Sequence, residues 1–334
     1  MGGFMNLFIA LIVAAITYGT PLLFGTLGEI LTEKSGNLNL GVEGIMFMGG
    51  AIGLGGVFYY EKAVLASGGT PSGLLAILIG LICAFIAGGI ASLIFSFLTI
   101  TLRANQNVTG LALSIFGTGV GQFIGEFMRV SEGGYVTISN ALKDVFIKSP
   151  FPAFLQEIPY IGPVLFGNSL FFYFAIVLAI VLFIYLNKSR RGLYLRAVGE
   201  SPATADAAGI NVTRYKYLAT VCGGGISAIG GLVYITTIAG CVWNHEGLSG
   251  VGWLAVALVI FCMWRPLSAI WGSVLFGALM ILYLRLNIPF IPTQLYKILP
   301  YVVTVVVLII SSMRNNKEKQ PPAALGLAYF REER

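Results

Sequence analysis

Apolar runs close to 20 residues long recur along this chain, each ended by a short polar break. An α-helix needs about 20 apolar residues to cross the roughly 30 Å hydrocarbon core of a bilayer. Runs lie at 5–26, 42–60, 74–100, 108–128, 168–187, 217–240, 251–264, 267–286 and 296–313. No run shows the alternating ten-residue pattern of a membrane barrel. Only 10% of the 334 residues are charged, against about 25% in a soluble domain, and the mean hydropathy is +0.87. The expectation is an all-α polytopic membrane protein with about 8–10 transmembrane helices in two related, glycine-interrupted halves. The run at 251–264 is short enough to be a half-helix. The first run is long for a signal peptide and lacks a basic leader, so it reads as a retained span.

Orientation follows from the basic loops, because Lys and Arg accumulate on the cytoplasmic side. With 188–216 and the 314–334 tail inside, alternation also puts Arg103 and Arg265 inside. Fourteen of the twenty Lys and Arg then face the cytoplasm. The loop 129–167 falls outside, and its Pro150, Pro152, Pro159 and Pro163 predict an ordered, irregular cap. The membrane-spanning domain is expected to cover 1–313. The tail is polar, is broken at Pro321-Pro322, and is expected to be mobile.

The inner break at 188–216 contains a short helix with its own punctuation. Ser201 is a natural N-cap, Pro202 suits the first turn, and Gly209 can take the left-handed stop. A capped helix in a cytoplasmic loop implies something that docks on it.

Glycines carry a second signal. Gly117, Gly121 and Gly125 repeat every four residues on one helix face, and Gly223–Gly225, Gly230 and Gly231 crowd another. Small residues let helices approach closely in lipid. Two further segments, 33–56 and 244–272, pass from polar and glycine residues straight into an apolar run, at corresponding places in the two halves. Such interrupted segments point to the substrate path of a transporter, because irregular backbone survives at membrane depth only against protein or a wet cavity. The candidate path residues are Asn37, Asn39, Glu43, Asn105, Asn107, Glu246 and Trp253, with Gln106, Thr109 and His245 beside them. Each has a plainer reading. Glu43 can instead cap a helix N-terminus, Asn37 and Asn39 can make a turn, and His245 suits a surface turn. Trp243, Trp253 and Tyr234 could stack a flat ring, or anchor the membrane boundary.

Bond chemistry finds no support. The lone histidine sits in a turn, and Cys83, Cys222, Cys241 and Cys262 are scattered in apolar runs as small core residues. No cofactor or metal is expected. The +6 charge belongs to loops and tail and indicates no nucleic acid. No G-x-x-x-x-G-K-[ST] loop occurs, so any ATP must be handled by another subunit.

Three stretches carry a resemblance: SGNLNLGVEGIMFMGG, ANQNVTGLALSIFGTG and RRGLYLRAVGESPATADAAGINV. From about Leu23 to Met313 the chain resembles the permease subunits of bacterial ABC importers, in the branched-chain amino acid and simple sugar superfamily, nucleoside-type branch. The resemblance implies a multi-pass protein of the bacterial cytoplasmic (inner) membrane. It implies a cytoplasmic ABC ATPase, a second related permease subunit in a heterodimer, and an extracytoplasmic lipoprotein that delivers substrate. It makes 201–209 the coupling helix, with Arg191, Arg196, Ser201, Pro202, Ala205, Asp206 and Gly209 serving the ATPase contact; the flanking arginines could equally meet anionic lipid. A nucleoside is the expected cargo, with riboflavin or a simple sugar as alternatives within the superfamily. An ion-coupled secondary carrier is the alternative of another class; it would need intramembrane carboxylates, for which Glu43 and Glu126 are the candidates.

Overall fold

The computed structural model describes residues 2–285, 298–306, 309 and 320–330. Its helices are α1 (Gly2–Glu33), α2 (Val42–Ala66), α3 (Gly73–Ser96), α4 (Gln106–Ser131), α5 (Asn140–Ile147), α6 (Ala153–Gln156), α7 (Ile161–Phe166), α8 (Leu170–Lys188), α9 (Arg190–Glu200), α10 (Pro202–Ala207), α11 (Val212–Val233), α12 (Val251–Phe261) and α13 (Pro266–Arg285). π-Helical turns at Phe97–Thr101 and Tyr234–Ile238 prolong α3 and α11. There is no named strand among the described residues, only one bridge between Thr137 and Val242.

Six helices, α1 to α4, α8 and α11, are long and apolar enough to cross a membrane. They fall on the first six expected runs. The run at 251–264 folds as the 11-residue α12, which is about 16 Å long and spans half the hydrocarbon core. The last expected run, 296–313, is helical over 298–306; its other residues, apart from 309, lie outside the described ones.

The bundle is built around α1 and α11, which pack against each other, with α13 on the far side of α1 and α2 and α3 beside α11. Leu22, Leu23, Phe24, Leu27 and Ile30 of α1 are fully buried. Outward faces are apolar as well: Ile115, Phe116, Phe123 and Phe127 of α4 and Ile82, Ile86 and Leu93 of α3 are exposed. This is the surface that lipid, not water, requires. Close approach explains the four-residue glycine spacing on α4. A Cβ at Gly117 would lie 2.6 Å from the carbonyl carbon of Gly44, so the two backbones touch.

One end of the bundle carries α9, α10, Lys34, Arg103, Lys188, Arg190, Arg191, Arg196, Arg214 and Arg265; Lys62, Arg129, Lys143 and Lys148 lie at the other. This bias is the one expected between a cytoplasmic and an outer face, and the α10 end is named the cytoplasmic end on that expectation. The loop 129–167 lies at the opposite end of the bundle from α10 and is irregular and proline-rich. It folds as α5 to α7, held by the buried Glu61 carboxylate accepting the Ser139 N–H at 3.0 and 3.1 Å and by stacking of Phe146 on Phe171.

The tail departs from its expected mobility over 320–330. Ala323 N–H donates to Glu200 Oε2 at 3.2 Å, Ala324 N–H to Gly199 O at 3.0 Å and Gly326 N–H to Gly36 O at 3.2 Å. Tyr329 Oη donates to Asp206 Oδ2 at 2.8 Å, and the Arg103 guanidinium sits 4.6 Å from the Phe330 ring centre. Past the proline pair, this segment supplies apolar and aromatic groups enough to lie down on the cytoplasmic end.

Candidate functional site

Two features stand out. The first lies inside the helix bundle, where the two interrupted segments meet. After α1 the chain turns at Gly36 (φ +86°) and climbs back through 37–41 before α2 begins. Irregular backbone at this depth must have its polar groups satisfied. Gln106 Oε1 accepts Leu38 N–H at 2.7 Å, Glu29 Oε1 accepts Asn39 N–H at 3.1 Å, and Ser114 Oγ donates to Leu40 O at 2.9 Å. Asn39 Oδ1 accepts Gly41 N–H at 2.9 Å, closing a turn. Since Gly44 faces Gly117, eleven residues along from the start of α4 at Gln106, α2, which starts at Val42, begins about 13 Å beyond the start of α4 rather than level with it.

In the second segment, 244–272, the chain returns to the level of Glu43 and launches α12 from Gly250 (φ +86°). The two helix starts abut: a Cβ at Gly252 would lie 2.4 Å from Glu43 Cα. Glu43 bridges them. Its carboxylate accepts the N–H groups of Gly250 at 2.6 Å, Gly252 at 2.7 Å and Trp253 at 3.2 Å. It therefore caps a helix N-terminus, but that of α12 rather than its own. A negative charge there offsets the positive ends of the two helix dipoles that meet at this point.

Of the expected path residues, Glu43 and Trp253 meet here, and Asn37 and Asn39 lie in the irregular segment that leads to α2. Asn37 is fully buried and its Nδ2 donates to Thr220 Oγ1 at 2.8 Å. Asn37 Oδ1 and Asn39 Nδ2 are buried without a hydrogen-bond partner, which is rare for buried polar atoms. The remaining three stand apart. Asn105 and Asn107 are exposed at the cytoplasmic start of α4, where Asn105 Oδ1 caps the helix by accepting Val108 N–H at 3.1 Å. Glu246 is exposed in the outer turn beside His245. Trp243 is buried with Phe47, Leu54 and Met128, so it packs the core and presents no free face.

Sequence reading passed over Glu29, Glu33, Ser114 and Thr220. Glu29 and Glu33 are buried near the end of α1, and Glu33 accepts the indole N–H of Trp264. Two carboxyls four apart in GEILTE lie on one helix face, a signal lost when the apolar run is ended at residue 26.

The second feature is a cytoplasmic helical hairpin. Ser189 Oγ accepts Gly192 N–H at 2.9 Å and starts α9, a helix not expected from the sequence. Ser201 Oγ accepts Thr204 N–H at 3.4 Å and starts α10 with Pro202 in its first turn. Gly209, at φ +82°, ends the turn, and Asn211 Oδ1 caps α11 through Arg214 N–H at 2.9 Å. Val198, Ala205 and Val212 form a small core beneath it. This corrects the expected contact set. Ala205 faces inward, only 3% exposed, and Asp206 is engaged by Tyr329. Ala203, Thr204, Ala207, Ala208 and Gly209 are the exposed surface. Arg191 and Arg196 lie on different sides of α9, each lining a separate cavity.

Over residues 11–308 the sequence matches the family described as branched-chain amino acid transport system / permease component. A Haloferax volcanii protein named, provisionally, as a glucose ABC transporter permease is 34% identical over 284 residues, 84% of this chain and 79% of the relative. A guanosine ABC transporter permease protein of Bacillus subtilis is 31% identical over 327 residues, 96% of each chain. A nucleoside ABC transporter permease protein of Lactococcus lactis subsp. cremoris is 32% identical over 296 residues, 87% of this chain and 88% of the relative.

Proposed function

The chain belongs to the family of branched-chain amino acid transport system permease components, and from that premise we propose that it is the membrane-spanning subunit of an ATP-driven nucleoside importer. It is a multi-pass membrane protein and a permease subunit, not an enzyme. ATP is hydrolysed on a separate cytoplasmic subunit, a second related permease completes the translocation unit, and a lipoprotein outside delivers the nucleoside. The observation that carries this reading is the hairpin of α9 and α10. A two-turn helix capped at both ends, with a rigid underside and a small-residue outer face, is built to be pushed as a unit by a partner. That partner is the ATPase, with Ser201, Pro202 and Gly209 shaping the contact and Arg191 at its flank.

The meeting point of α2 and α12 is the pathway element. Movement of the hairpin is passed to it through the segment 320–330 and through Gln106, which donates from Nε2 to Leu327 O at 3.4 Å and holds Leu38 on its other atom. Asn37 and Asn39 hold unspent polar capacity there, suited to a neutral, hydrogen-bonding ligand. Asn105 and Asn107 lie where ligand leaves and Glu246 where it enters. Two relatives are named for guanosine or nucleoside transport, which favours that cargo; the relative named for glucose keeps a sugar as the second reading.

Uptake of radiolabelled guanosine in cells with and without this gene tests the cargo. Loss of uptake on deletion, with competition by adenosine and none by glucose, is expected. Guanosine uptake unchanged by deletion, with glucose uptake lost, would assign the chain to the sugar.

A further inference from the structure

A cavity of about 850 Å³ opens at the cytoplasmic end between the end of α8, the side of α9 and the turn joining α12 to α13. That volume is within the range that holds small ligands. Four cations line it, Lys34, Lys188, Arg196 and Arg265, against one carboxylate, Glu200. Glu200 is already in use, accepting the N–H of Ala323. Lys34, Lys188 and Arg196 make no salt bridge among the described residues; the pairs Lys62–Glu132, Arg129–Glu126 and Lys148–Asp144 all lie at the outer end. Arg196 Nε is buried without a hydrogen-bond partner. Burial lowers the Lys34 pKa, the nearby carboxylates of Glu200 and Glu33 oppose that, and Arg196 and Arg265 add to it. Like charges so gathered repel one another unless an anion joins them.

Position identifies the source of the anion. Lys188 ends one span, Glu33, next to Lys34, ends another, and Pro266 begins α13, so the cations sit at the boundary between hydrocarbon and cytoplasm. Leu193 and Leu267, both exposed, and Phe183 form an apolar rim. A soluble phosphate has no use for that rim; a phospholipid has acyl chains to lay on it while its phosphate reaches the cations. Basic pockets between helix ends on the cytoplasmic side suit anionic head groups.

We propose that this cavity binds the phosphate head group of an anionic phospholipid of the cytoplasmic leaflet. The lipid ties α8 and α9 to the α12–α13 turn and so braces the base of the hairpin. The inference rests on the orientation of the bundle and is independent of the cargo.

The test uses the assembled transporter, stripped of lipid in detergent and titrated with short-chain phosphatidylglycerol, with phosphatidylcholine as control, and bound lipid counted by native mass spectrometry. Retention of phosphatidylglycerol over phosphatidylcholine is expected. Each removed charge should weaken binding about fivefold, so Lys188→Gln with Arg196→Gln together should cost roughly 25-fold. Arg196→Lys, which keeps the charge, should bind nearly as the native protein does and guards against a folding defect. Equal retention of both lipids, or native affinity in the double variant, would overturn the proposal. Displacement by equimolar inorganic phosphate would make soluble phosphate the ligand and overturn the lipid source. Loss of the ATPase subunit from the double variant with phosphatidylglycerol still bound would assign the cations to protein docking instead.

Discussion

At the scale of single residues, Glu43 decides how the two halves are joined. A carboxylate accepting three backbone N–H groups in a buried site is strongly committed. Glu43→Ala would strand those donors at a cost of about 1–3 kcal/mol each before relaxation; a net loss of about 3 kcal/mol is expected, with Glu43→Gln losing roughly half as much because one acceptor remains. Thermal unfolding of the detergent-solubilised protein measures this. An alanine variant with native stability but no transport would make Glu43 a ligand contact instead of a structural bridge. The sequence presents Glu43 with both roles open, since a carboxylate at the mouth of an apolar run fits either. It could not name the partner helix, because Gly250 lies 207 residues away and no local pattern encodes that meeting. Trp253 is found beside it through its place in an interrupted segment, whereas Asn105 and Asn107 share the residue type of a polar lining without the depth.

At the scale of elements, the hairpin shows what local punctuation can and cannot reveal. Ser201, Pro202 and Gly209 specify α10 from sequence because capping is a local matter. Which face of α10 points outward depends on Val198 and Val212, from the neighbouring helices, and so Ala205 reads as a contact residue until the fold is known. The two faces give opposite expectations for one substitution. Ala207→Glu places a carboxylate on the exposed face; it should lower substrate-stimulated ATP hydrolysis by about tenfold or more, equivalent to ~1.4 kcal/mol lost from the contact, with normal insertion. Ala205→Glu buries an unpaired charge in the small core and should lower the yield of folded protein. Full ATPase stimulation in Ala207→Glu would remove α10 from the coupling surface. The first six spans were legible because a 20-residue apolar run has few alternative folds. The docking of 320–330 was not, because its hydrogen bonds join Gly36, Glu200 and Gln106 across most of the chain.

At the scale of the molecule, the bundle has a mechanical logic. Two half-depth helix starts are locked by Glu43, the 37–41 segment is held by Gln106, and Gln106 is bonded to the segment that also grips α10. A displacement of α10 therefore has a bonded route to the 37–41 segment that leads into α2. On the proposed function, ATP hydrolysis on a partner drives nucleoside through this route. Reconstitution of the whole transporter in liposomes, with the binding protein outside and ATP inside, tests it most directly through accumulation of radiolabelled guanosine. Accumulation against a gradient with ATP, and none with a non-hydrolysable analogue, is the expected result. Accumulation with the analogue, driven by an imposed ion gradient alone, would contradict the account and make the chain a secondary carrier.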